Sequence, residues 1–123
     1  MKKLLRLTSL VFFSVFLVAK PSLSEYPSLY YEWIILDTGS FEKCLQVLES
    51  AMNNQNLRSV LREGDSIFGH TSNSQVGAFC IQRNASQTIA IVTVAGGVQS
   101  EVERLTEKLG QDLELQNRRM ISN

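Results

Sequence analysis

Two apolar runs separated by a short polar turn constrain this chain more than any other feature in it. QVGAFCIQR (75–83) and QTIAIVTVA (87–95) are short and rich in β-branched and aromatic residues, and Asn84-Ala85-Ser86 joins them. That pattern predicts an antiparallel hairpin. With a three-residue loop, the register groups Val76, Ala78, Cys80, Ala90, Val92 and Val94 on one face of the sheet. Phe79, Ile81, Ile89 and Ile91 then share the opposite face, whereas a two-residue turn would regroup them. Small residues on the first face admit a helix at close range. The second face is unusual, because a solvated face normally alternates with polar residues, and only Gln87 and Thr93 interrupt this one. Four large apolar side chains in contact form a patch of the kind that marks an interface, unless residues 26–31 or the C-terminal segment fold over it as a lid.

The remaining elements place helices beside this hairpin. EWIILD (32–37) reads as a buried strand ended by Thr38-Gly39, after an extended aromatic lead-in, YPSLYY (26–31). Ser40 has the chemistry of an N-cap. Beyond it Phe41, Cys44, Leu45, Leu48, Ala51 and Met52 fall on one helical face, and NNQN (53–56) ends the helix. SIFGH (66–70) reads as a short strand and TSNS (71–74) as a turn. A second helix follows Gly96-Gly97, with Ser100 and Glu103 as a capping box, an apolar stripe of Val98, Val102, Leu105 and Leu109, and Gly110 as its C-cap. DLELQ (112–116) alternates like an edge strand, with a continued helix as the alternative, and 117–123 reads as a flexible tail. The expected fold is one small α+β domain over 25–116. It is a two-layer sandwich with an antiparallel sheet of 4–5 strands and two helices on one face. The order of elements resembles the ferredoxin-like arrangement, a fold shared by many functions.

Asp37-Thr38-Gly39-Ser40, after the apolar Ile34-Ile35-Leu36, resembles the catalytic loop of the aspartic proteases. The resemblance covers residues 34–40 and implies a homodimeric hydrolase in which Asp37 of each chain shares a proton with its counterpart and activates water. The chain departs from that family in three ways. A helical face begins at Phe41 where the family continues in strand, too few residues precede the loop, and Val94-Ala95-Gly96 echoes the later family element only weakly. A plainer account covers every residue: Asp37 ends a strand, Gly39 makes the bend and Ser40 caps a helix.

The N-terminus supplies an address. MKKLLR is basic, and TSLVFFSVFLVA (8–19) has the length of a signal-peptide core, with Ser22 and Ser24 as small residues before a cut after Ser24. The run is short of the roughly 20 residues a membrane span needs, an uncleaved anchor being the alternative. Residues 1–24 are therefore expected to be a signal peptide, leaving no stable membrane span after cleavage. The short MKK start points to a bacterial, extracytoplasmic protein, periplasmic or secreted. Cleavage removes Lys2, Lys3, Arg6 and Lys20, so twelve basic residues become eight against twelve acidic ones, and the charge falls to −4. An acidic surface argues against nucleic acid as a partner. Cys44 and Cys80, the only cysteines, form a plausible disulfide in an exported chain; two buried thiols would explain the same positions.

Other chemistry-bearing residues have plain readings. His70 is the only histidine and has no Cys or carboxylate at ligand spacing, so neither a metal site nor a His-assisted nucleophile is expected. Gly96-Gly97 precedes a helix, but Glu101 and Glu103 would face a bound phosphate. Asn84-Ala85-Ser86 is a glycosylation triplet only in a eukaryotic secretory pathway. Arg118-Arg119 are too few for a nucleic-acid patch. No catalytic residue and no cofactor is assigned. The expected function is that of a small exported, non-catalytic interaction domain, whose partner is an unknown protein or a second copy of itself. The alternatives are an inhibitor of a secreted enzyme and the hydrolase of Asp37.

Overall fold

The computed structural model describes residues 27–122; the expected signal peptide lies outside them. Strand β1 (Ser28–Leu36) leads to helix α1 (Phe41–Asn54), then to β2 (Arg58–Glu63), β3 (Ser66–His70), β4 (Ser74–Asn84), β5 (Gln87–Gly96) and helix α2 (Gln99–Ser122). The strands form one five-stranded antiparallel sheet in the order β1-β5-β4-β3-β2. Both helices pack on one side, α2 beneath β1 and β5, and α1 beneath β2 to β5. The fold is thus α+β, consistent with a two-layer sandwich.

The β4–β5 hairpin has the expected register, with Cys80 opposite Ala90, Phe79 opposite Ile91 and Ile81 opposite Ile89. A shift between Gln82 and Asn84 absorbs one residue, so Asn84 pairs with Gln87 across a two-residue turn. Such a bulge keeps the grouping of faces that a three-residue loop implies. The ferredoxin-like order is not found. That arrangement needs a strand after the second helix, whereas here four strands run as a meander and β1 returns to pair with β5.

The core lies between sheet and helices. Leu36, Ile67, Ala78, Ala90, Val92 and Val94 from the strands meet Cys44, Leu48, Ala51 and Met52 of α1 and Val102, Leu109 and Leu113 of α2. Fully burying a side chain such as Leu48 or Ile67 contributes about 1.5–3 kcal/mol. Ser40 caps α1 as expected, its Oγ accepting from the Lys43 N–H at 3.0 Å.

Helix α2 departs from the expectation at both ends. It begins at Gln99, so Ser100 lies inside its first turn rather than at the cap. It runs through Gly110, the 112–116 segment and most of the supposed tail to Ser122. The physical reason is the spacing: Val102, Leu105, Leu109 and Leu113 form a buried stripe at helical intervals, and Met120 packs on the core's margin. The strand-like alternation of Leu113 and Leu115 is incidental, since Leu115 is exposed. Gly110 serves close packing, not a cap. A Cβ there would stand 2.8 Å from the Glu32 side chain of β1.

Candidate interaction surface

The outer face of the sheet carries side chains from all five strands. Antiparallel pairing lines them up in rows. One row runs Tyr31, Thr93, Gly77, Phe68, Leu61; the next runs Trp33, Ile91, Phe79, Ser66; a third holds Ile35, Ile89 and Ile81. Leu29 and Ala95 add a further pair beside Gln75. Among the described residues, neither expected lid covers this face. Residues 28–31 belong to β1 and extend it, and the C-terminal segment is helix on the opposite side.

Seven of these side chains, Leu29, Tyr31, Trp33, Leu61, Phe68, Phe79 and Ile81, each leave 37% to 69% of their surface to solvent. Ile35, Ile89 and Ile91 are half-buried between them. At those exposed fractions, with about 150–250 Å² for each aromatic and somewhat less for each aliphatic side chain, the face presents apolar surface on the order of 700 Å². That exceeds the roughly 300–600 Å² of the largest patch on a typical monomer. The ionisable groups of this face lie at its perimeter: Arg58 and Glu63 on β2, His70 on β3, and Arg83 at the hairpin end. The Phe68 ring lies beside Gly77, 3.6 Å from where a Cβ would stand. Two clefts, of about 460 and 330 Å³, are lined by other residues, Gln75 and Ala95 excepted.

The expected patch of Phe79, Ile81, Ile89 and Ile91 is the β4–β5 part of this surface. Sequence reading missed Leu29, Tyr31, Trp33 and Ile35. Their alternation in SLYYEWII was visible, but their face depends on β1 pairing with β5, some sixty residues away in the chain. No known family model and no curated protein sequence matches this chain.

The two edges of the sheet differ. β2 is short, its register breaks between Arg58 and Leu61, and Ser59 has a positive φ of 54°. Charges and bulges of this kind protect an edge from further pairing. β1 keeps unbroken register over nine residues, and its one charge, Glu32, points to the helix side.

Cys44 and Cys80 form a disulfide with a Cα–Cα distance of 6.3 Å, fixing α1 beneath β4. Both residues are buried. Asp37 sits where strand meets helix. Its Oδ1 accepts from Gln87 Nε2 at 3.1 Å, its Oδ2 accepts from Asn117 Nδ2 at 3.1 Å, and its N–H donates to Asn117 Oδ1 at 2.8 Å. The amide donors of Gln87 and Asn117 hold its carboxyl below the ordinary value of 3.8. Gly39 is required beside it, because a Cβ there would overlap the Ala85 carbonyl. The Asp-Thr-Gly-Ser stretch therefore joins β1, the β4–β5 turn and the end of α2.

The remaining candidates fall in turns and edges. His70 Nδ1 lies 3.1 Å from the Thr71 carbonyl. Among the described residues, no group of three or more His, Cys, Asp or Glu is placed to hold a metal ion. Near Gly96, Glu101 accepts from Thr71 Oγ1 at 2.8 Å and from Asn73 Nδ2 at 3.2 Å, tying the 71–74 turn to α2. Asn84 accepts from the Ser86 N–H at 2.9 Å, a local turn bond. No helix among the described residues is long and apolar enough to cross a membrane.

Proposed function

We propose that this chain is a small extracytoplasmic interaction domain that docks protein surface onto the outer face of its sheet. The observation that carries the reading is that the sheet is apolar on both sides while helices cover only one. An antiparallel sheet with one face in water ordinarily alternates apolar with polar residues, so an apolar second face calls for a cover. Aromatic residues such as Tyr31, Trp33 and Phe79 are also those enriched where proteins meet. A broad face with charges only at its perimeter, away from the clefts, suits another protein better than a small ligand, which binds in a concavity. The disulfide supports an oxidising, extracytoplasmic setting, and the basic start followed by an apolar run supports export through a cleaved leader. Inhibition of a secreted enzyme is one form this docking could take. The hydrolase reading of Asp37 gains no support from a carboxylate whose two oxygens are both engaged by amide donors.

The test is the double substitution Ile81→Glu with Ile89→Glu, in the protein purified from the cells that make it. Ile81 and Ile89 are direct cross-strand partners on this face, so the pair places two like charges at one point of contact. The variant is expected to lose the wild type's association, measured by sedimentation and by partner recovery, while its circular dichroism stays unchanged. Unchanged association in a folded double variant would refute the reading.

A further inference from the structure

We infer that the partner on this face is a second copy of the chain, the two stacking sheet to sheet as an isologous dimer. The inference rests on the docking role just proposed and adds the identity of the occupant. Three observations point to it.

The first is area. Apolar surface on the order of 700 Å² is close to the roughly 800 Å² per partner that a standard stable interface buries. The second is charge. Most of the exposed acids lie on the helices, Glu42 on α1 and Glu103, Glu107 and Glu114 on α2, while Asp37, Glu63 and Asp65 sit at the rim of the sheet. The centre of the outer face, around Thr93, Gly77, Ile91 and Phe79, carries no ionisable group. Two copies stacked on that face meet without opposed like charges at its centre, and their acidic helices point away from each other. A different chain is under no such constraint, whereas a self-associating one requires it. The third is shape. Twisted sheets pack face to face at about 10 Å with interdigitating side chains. Here Tyr31 on β1 and Phe68 on β3 flank Thr93 and Gly77 in one row, and Leu29 lies beside Ala95 in the next. The face thus presents both the projections and the low strip that a two-fold axis would bring together.

Pairing of two β1 edges is the other way for copies to join, and one substitution separates the two. Phe79 lies on β4, an interior strand, so Phe79→Glu charges the face and leaves the β1 edge untouched. Sedimentation velocity over a wide concentration range is run on wild type and variant, both purified from the producing cells. The expected result is a dimer for wild type and a single chain for Phe79→Glu, with circular dichroism and the Cys44–Cys80 bond intact. A variant that remains dimeric would overturn face stacking in favour of edge pairing. Should Phe79→Glu not fold, Phe68→Lys on β3 reads the same contact.

A wild type that stays a single chain at every concentration would overturn the second copy. The docking role is then judged separately. If the native protein sediments in a larger complex that Phe79→Glu releases, docking stands and only its partner was wrong. If it sediments alone, both fall.

Discussion

Asp37 connects three parts of the chain that are distant in sequence. Its carboxylate takes hydrogen bonds from Gln87 in the β4–β5 hairpin and Asn117 near the end of α2. Because these donors favour the ionised form, the folded-state pKa lies below the ordinary 3.8. A carboxyl depressed by folding contributes stability that is complete above its unfolded value and is lost as pH falls through its folded value. Asp37→Ala should therefore lower the melting temperature most near neutral pH. The gap between variant and wild type should close as pH drops below 3.8. Thermal melts of both proteins across that range check it, and a gap that widens in acid would show the wrong sign. At this scale the sequence disclosed the local roles, such as Ser40 capping the turn that follows it. It could not disclose Asp37's partners, which lie 50 and 80 residues away.

Two elements illustrate what periodicity does and does not reveal. Helix α1 was legible because its apolar face recurs at helical spacing and its ends carry clear signals. Those signals are Ser40 at the start and Asn56, with a positive φ of 60°, just past the end. Helix α2 was legible only in its first half. Gly110 resembles a stop signal, yet it is an interior glycine needed where the helix crosses Glu32 of β1, and that crossing is a tertiary fact. The Cys44–Cys80 bond joins α1 to β4 and closes a sequence separation of 36. A loop of that size stabilises by about 3–4 kcal/mol in the chain-entropy account, a large share of the roughly 5–15 kcal/mol of a typical domain. Replacing both cysteines by alanine should reduce unfolding free energy by about that amount, measured by denaturant titration. Two titratable thiols in the unfolded, unreduced protein would contradict the bond itself.

The described residues form a sheet with one face covered by helices and the other left open. The hairpin register made part of that asymmetry readable, because it separated Cys80 and Val92 from Phe79 and Ile91 before any other strand was placed. Its extent was not readable, since non-local pairing adds β1 on one side and β3 with β2 on the other. The chain contains a single tryptophan, Trp33, which stands on the open face with 53% of its surface exposed in the lone chain. On the proposed docking, the partner covers it. The most direct measurement is acrylamide quenching of Trp33 fluorescence in the protein as purified from its cells, compared with its Phe79→Glu variant. The account predicts a shielded tryptophan with blue-shifted emission in the wild type and an open, readily quenched one in the variant. A wild-type Trp33 quenched as freely as the variant's at every concentration would contradict it.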